Sequence, residues 1–318
     1  MKCLVTAIGS LSAEAVIGRL AQQPGVKIIG CNMYPASWTP ASRLVNRFYN
    51  VPSAKSDNYI NSLLEICQCE NITHIIALTD PEIDIISDHD EWFISRGIVL
   101  CMPSQSAVRM ARDKLLIYEK FVNHPRISPI LTADFQEVAN TAFPLPWIAK
   151  PRRGRSSEGH IQIADVDALQ FWRKRLANLD YLVQPYYEGS VMVVDVVRQP
   201  DDGTSVAVTR QELLRTTNGA GLTVRMQPNH ACDVLACEIA DSLNIRGCIN
   251  VEFLVVDNMP LLMDVNPRFS AGVSFTIKAG YDMVKNHLNC FSRGKLDPCI
   301  VPRPDVYARG FVEYSLEN

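Results

Sequence analysis

The sequence predicts a mixed fold: a parallel α/β region at the front, followed by an α+β region built on antiparallel strands. Three observations predict it. Short apolar runs alternate with amphipathic stretches over the first hundred residues. From about residue 145 the runs lengthen, turn β-branched and are joined by tight turns. The chain, 318 residues with 47% hydrophobic and 20% charged side chains, is long enough to bury two or three ordinary cores.

Taken in order, KCLVTAI (2–8) reads as a buried strand leading through Gly9 to a helix that carries Ala13, Val16, Ile17 and Leu20. VKIIGCN (26–32), ITHIIALT (72–79) and GIVLCM (97–102) are strands of the same kind, and YINSLLEIC is the helix before ITHIIALT. Strands alternating with helices imply a parallel, doubly wound sheet with ligand sites at the strand carboxyl ends. The single Gly9 does not make a dinucleotide fingerprint, so the first turn reads as a plain strand-to-helix connection. TDPE (79–82) stands at a strand's carboxyl end and fits either a cleft-facing cluster or a helix N-cap followed by proline.

After about residue 110 the pattern changes. ARDKLLIYEKFV (111–122) reads as one helix and FPLPWIAKP (143–151) as a short strand ending at Lys150. RRGRSSEGH (152–160) is a polar loop with Gly154, Ser156 and Ser157. YLVQPYYEGSVMVVDVV (181–197) holds two strands around Glu188–Gly189. DDG (201–203) is a hairpin turn, a helix follows from about 230 to 243, and DNMP joins CINVEFLVV to LLMDVNPR as an antiparallel pair.

Bulk properties exclude several classes. A net charge of -3 argues against general affinity for nucleic-acid backbones. No apolar run approaches the ~18 residues of a membrane span, and the N-terminus reads as a strand and not as a signal peptide. The ten cysteines form no CxxC pair or Cys/His cluster, so buried thiols in a reducing cytoplasm are expected.

The chemistry concentrates in PLLMDVNPRFSAG (260–272), where an apolar strand ends in Asp264, Asn266 and Arg268. Buried groups of that kind need solvent or a charged ligand. Counting back from the turn, Glu252 joins Asp264 and Asn266 on one face, a hard-oxygen set that suits Mg²⁺ with phosphate oxygens. Lys150, before a small-residue loop, fits a phosphate contact or a solvated strand end. QPYY (184–187) fits a linker between lobes or a surface hairpin.

Together these stretches resemble the ATP-grasp superfamily, in particular the carbamoyl-phosphate-synthase-like branch of carboxylate–amine ligases. The resemblance runs over nearly the whole chain and implies a Rossmann-like domain at 1–110, an ATP-grasp small lobe at 111–186 and a large lobe at 187–318. It implies ATP and two Mg²⁺ ions, with Mn²⁺ as a substitute. Lys114 and Lys150 would contact nucleotide phosphate, and the loop with Gly154, Ser156 and Ser157 would close over it. Gln184, Pro185 and Tyr187 would read the adenine, and Glu188 would stand in for a ribose acid that the family places where Val191 lies here. Glu252, Asp264 and Asn266 would hold metal, with Asp264 in place of the family's glutamate, and Arg268 would face the transferred phosphoryl group. Arg268 and Lys150 are the expected catalytic pair. Arg215 and Arg225, flanking TTNGAGLTV, fit carboxylate recognition or plain exposed arginines, while Asp80 and Glu82 would line the cleft from the front.

The implied activity is ATP-dependent activation of a carboxylate to an acyl phosphate and its coupling to an amine. A carbamate- or bicarbonate-phosphorylating enzyme and a non-catalytic ATP sensor are the alternatives. The expected partners are small molecules, with no nucleic acid and no membrane. Dimers are common among related enzymes, but the sequence locates no interface.

Overall fold

Cys3, Leu4 and Val5 are fully buried, as the first apolar run requires, and they lie in the central strand of the first of three sheets. The computed structural model describes residues 1–139, 143–155, 157–299, 301 and 303–316. The front region runs β1 (Lys2–Val5), α1 (Ala13–Leu20), β2 (Lys27–Asn32), β3 (Arg47–Asn50), α2 (Tyr59–Glu70), β4 (His74–Ile76), α3 (Asp80–Asp88), α4 (Asp90–Ile94) and β5 (Val99–Leu100), with two short 3₁₀ turns within 36–44. Its sheet has the order β3-β2-β1-β4-β5, and every pair in it is parallel. This is the doubly wound arrangement expected, with shorter strands and one addition. β3 was not foreseen; RFYN is only half-buried and lacks the apolar signature.

The next segment departs from a single helix over 111–122. It splits into α5 (Gln105–Ala111) and α6 (Lys114–Phe121). The break is at Asp113, whose carboxylate accepts hydrogen bonds from the backbone N–H groups of Leu115 and Leu116. An aspartate in extended backbone caps a new helix more readily than it continues an old one.

β6 (Ser128–Pro129), β7 (Ala133–Asp134), β8 (Trp147–Pro151), β9 (Ile161–Ile163), α7 (Val166–Arg175) and β10 (Tyr181–Pro185) follow. Four of them form an antiparallel sheet in the order β7-β10-β8-β9, packed on a small core around the fully buried Trp147 and Phe135. The rest comprises β11 (Ser190–Gln199), β12 (Thr204–Arg215), β13 (Gly221–Met226), α8 (Ala231–Ser242), β14 (Gly247–Val256), β15 (Met259–Asn266), α9 (Val273–Lys278), α10 (Met283–Phe291) and β16 (Val306–Ala308). Their seven-stranded sheet runs β16-β13-β12-β11-β14-β15-β6, antiparallel except where β6 adds to its edge.

One apolar core joins the front region to the large sheet. α1 gives Val16, Ile17 and Leu20 to a cluster that also holds Val197, Val206, Phe269 and Tyr281. His287 ties the same seam: its Nδ1 accepts from the Cys248 N–H, leaving Nε2 to donate to the Cys101 carbonyl. No disulfide forms among the described residues, and seven of the ten cysteines are buried. No described helix is long and apolar enough to cross a membrane.

Candidate active site

A cavity of about 430 Å³ opens where three things meet: the carboxyl ends of β1 and β4, the loop after β8, and one face of the seven-stranded sheet. The β14–β15 hairpin supplies its metal-type residues. Asp257 and Asn258 form its turn with positive φ angles of 48° and 65°, the geometry of a tight two-residue hairpin. The register sets Glu252 directly opposite Asp264 and Asn250 opposite Asn266. A β-bulge beyond the Glu252–Asp264 pair leaves Met263 unopposed, and both Met263 and Asp264 face the cavity.

The phosphate-type residues come from the other side. Lys150 is 4% exposed on β8, between the buried Ala149 and the loop. Burial, and then the nearby Lys114, push its pKa down to about 8, while Asp264 and Glu252 partly counter that. Lys114 lies 3.6 Å from Asp264 and donates to the Gly154 carbonyl. The loop is fastened at its base by the fully buried Asp113, which receives Arg152 at 2.8 Å and Arg153 at 3.3 Å. Arg152 and Arg153 are thus anchors of the loop.

Arg268 reaches across to the front region, where Asp80 takes it through two 2.8 Å hydrogen bonds. Burial opposes ionisation of Asp80, and the Arg268 and Arg112 guanidinium groups overcome it, holding the carboxyl below its ordinary value. Arg112 continues the chain of contacts, from Asp84 at 3.0 Å to the Gly154 carbonyl at 3.3 Å. One network therefore links α3, the loop after β8 and the hairpin. Sequence reading missed Arg112, which sits at the helix break. It also missed His160, whose burial and proximity to Lys150 and Lys114 depress its pKa to about 4, leaving it neutral in the cavity wall.

The expected residues do not all converge. Lys114, Lys150, Gly154, Ser157, Arg215, Glu252, Asp264, Asn266, Arg268 and Asp80 line the cavity. Ser156 lies outside the described residues. Gln184 is buried at the end of β10 with its amide nitrogen on the Thr132 hydroxyl, and neither it nor Pro185, Tyr187 or Glu188 lines this cavity. Arg215 pairs with Glu252 at 2.9 Å. Arg225 is exposed and off the cavity, because alternation along β13 turns it away from the face that buries Val224 and Met226. Glu82 points into the front core instead of the cleft. There it accepts from Thr6, Thr79 and Tyr59, and burial raises its pKa to about 7.

The lining carries six basic side chains (Lys114, Lys150, Arg155, Arg210, Arg215, Arg268) against four carboxylates (Asp80, Glu212, Glu252, Asp264). That excess suits a polyanion. Among the described residues no three His, Cys, Asp or Glu side chains could hold a metal alone. The Glu252–Asp264 pair fits the way Mg²⁺ is usually held, by one or two carboxylates plus substrate phosphates.

The family profile of the ATP-grasp domain matches residues 111–272, and that of the PylC-like N-terminal domain matches residues 4–101. The chain belongs to the ATP-grasp family. It is 23% identical over 282 residues to the carbamoyl phosphate synthase large chain of Lachnoclostridium phytofermentans, covering 80% of this chain and 26% of that one. It thus spans about a quarter of that relative's length. Two solved structures share the fold. The biotin carboxylase domain of Hydrogenobacter thermophilus 2-oxoglutarate carboxylase, in complex with MgADP, ADP and bicarbonate, superposes with a TM-score of 0.76 at 13% identity, covering 93% of this chain and 71% of that one. The L-amino acid ligase of Bacillus licheniformis gives 0.71 at 12%, covering 91% and 73%. The parallel front domain and the antiparallel ATP-grasp sheets expected from the sequence are both present.

Proposed function

We propose that the protein is an ATP-dependent ligase that activates a carboxylate and couples it to an amine. The observation that carries this reading is the convergence of Lys114, Lys150, Glu252, Asp264 and Arg268 on one cavity. In the first step a carboxylate oxygen attacks the γ-phosphorus of ATP, the bond to the ADP oxygen breaks, and an acyl phosphate forms. In the second an amine attacks the acyl carbon, phosphate leaves, and the nitrogen gives up a proton. The protein's part is positioning and charge neutralisation.

Lys114 and Lys150 hold triphosphate oxygens, and Arg268, fixed by Asp80, faces the moving phosphoryl group. Glu252, Asp264 and the carboxamide oxygen of Asn266 would hold Mg²⁺, which neutralises phosphate charge when bound. Binding would release Glu252 from Arg215 and Asp264 from Lys114, freeing both cations for the substrates. The adenine would lie beyond the cavity at the end of β10, where Pro185 and Tyr187 offer backbone groups. The Tyr186 N–H is already given to the Pro146 carbonyl.

A second reading, phosphorylation of bicarbonate, is favoured by the bicarbonate complex of the structurally similar H. thermophilus domain. Hydroxylamine separates the readings, because it intercepts acyl phosphates as stable hydroxamates. Hydroxamate formed with MgATP and one organic acid supports the ligase. ADP release with bicarbonate alone supports the second reading, and ATP binding without release in either assay points to a sensor.

A further inference from the structure

Each of the four cavity-lining carboxylates is paired with a cation, but one of them keeps a buried oxygen with no hydrogen-bond partner. Asp80 has Arg268, Glu252 has Arg215 and Asp264 has Lys114. The fourth is Glu212 on β12, which is paired with Arg210 and which sequence reading did not single out. Its side chain is 2% exposed, and Oε1 accepts from the Arg210 Nε at 3.1 Å. Its other oxygen, Oε2, is buried and has no hydrogen-bond partner. An ionised buried oxygen without a donor is costly, and a site that leaves one beside a cavity is complete when a ligand brings the donor.

The neighbouring Arg210 does not donate to it. Arg210 is spent on three partners, with Nε on Glu212, Nη1 on Asp195 at 2.8 Å and Nη2 on Ser270 at 3.0 Å. Two glycines make room for this pair, whose side chains lie where a Cβ would stand. A Cβ at Gly221 would fall 2.1 Å from Glu212 Oε2, and one at Gly272 would fall 2.6 Å from Arg210 Nη2. Both glycines line the cavity.

The position is set by register. Glu252, Val193 and Arg210 form one row across β14, β11 and β12, so Arg210 lies two strands from the metal-type pair, roughly 10 Å away at the usual strand spacing. Glu212 is two residues further along the same face. The cavity therefore has an end rich in cations around Lys114 and Lys150 and, across the sheet, an end where one carboxylate oxygen lacks a hydrogen-bond donor. The cations at the first end suit phosphate and carboxylate. The second calls for an N–H group.

We propose that Glu212 receives the amino group of an amine-bearing substrate, its Oε2 accepting an N–H or N⁺–H hydrogen bond over Gly221. This rests on the ligase reading above for the identity of the substrate as an amine to be joined, and it assigns that substrate's place in the cavity.

The test is calorimetric binding to the full chain in the presence of MgADP. The probes are L-alanine, L-lysine and ethanolamine, each set against its amine-free counterpart: propionate, hexanoate and ethanol. At least one amine should bind at least tenfold more tightly than its counterpart. Glu212→Gln should weaken that binding tenfold or more. Gly221→Ala puts a Cβ where Oε2 lies, so it should displace the Glu212 side chain and weaken that binding as well. Circular dichroism and melting curves check that both variants fold. Failure of every amine to bind, or amine binding that Glu212→Gln leaves within twofold, overturns the proposal. The hydroxamate assay on the unaltered protein decides the ligase reading separately, so the two failures are distinguishable.

Discussion

Raising the pH from 7 to 9 should weaken ATP binding about tenfold, because of where Lys150 sits. Burial, with Lys114 beside it, brings its pKa down from 10.5 to about 8. In the free protein the fraction of protonated Lys150 then falls from about 0.9 at pH 7 to about 0.1 at pH 9. The triphosphate binds the ammonium form and draws its pKa back up, so above pH 8 each binding event must also take up a proton. The tenfold drop in the competent fraction is a tenfold rise in Kd, about 1.4 kcal/mol. The same shift has a stability signature of opposite direction. A lysine whose folded pKa lies below its unfolded value binds fewer protons when folded, so the free protein gains stability as the pH rises from about 8 towards 10.5. Isothermal titration of MgATP in buffers of differing ionisation enthalpy measures both the affinity and the protons taken up. Lys150→Met should bind more weakly at pH 7 and show a flat profile. An affinity independent of pH across this range, or a slope that survives in Lys150→Met, would refute the reasoning.

Three other outcomes follow from the same contacts. Asp80→Asn removes the partner of Arg268 across the domain seam; at about 3 kcal/mol for breaking a largely buried pair, it should lower the melting temperature by several degrees and depress kcat more than it raises KM for ATP. Asp113→Ala loses both the α6 cap, worth about 1 kcal/mol, and the anchor of Arg152 and Arg153, so KM for ATP should rise and protease cleavage within 152–160 should speed up. Trp147→Ala empties the centre of the small-lobe core at a cost of about 3–5 kcal/mol, and partial unfolding should be visible in the remaining tryptophan fluorescence.

What the sequence made legible was local. The β14–β15 hairpin follows from two apolar runs of period two and a turn at Asp257–Asn258 that suits positive φ. Once that register is set, Glu252 and Asp264 must face each other. Lys150 was visible because it interrupts an apolar strand just before a breaker. What stayed hidden depends on long-range pairing. Asp80 and Arg268 are 188 residues apart, and nothing local marks them as partners. β6 and β7 are two residues each and exist only through the strands they join. Arg210 and Glu212 were not singled out, since alternation gives the face but not which face is covered. Here β12 turns that face towards a cavity closed by the front region. The helix break at Arg112–Asp113 was hidden by an otherwise unbroken helical composition, which a single capping carboxylate overrides.

The central claim is that ATP is spent on activating an acid, and transfer of oxygen tests it most directly. An ¹⁸O-labelled carboxylic acid incubated with MgATP and its amine partner should deliver one label to the phosphate released, because the carboxylate oxygen that attacks phosphorus leaves with it. Glu252→Gln should cut that transfer by about 10²–10³, in line with the loss of one electrostatic contact to the reacting group. Phosphate released without label, or labelled at the same rate by Glu252→Gln, would contradict the account.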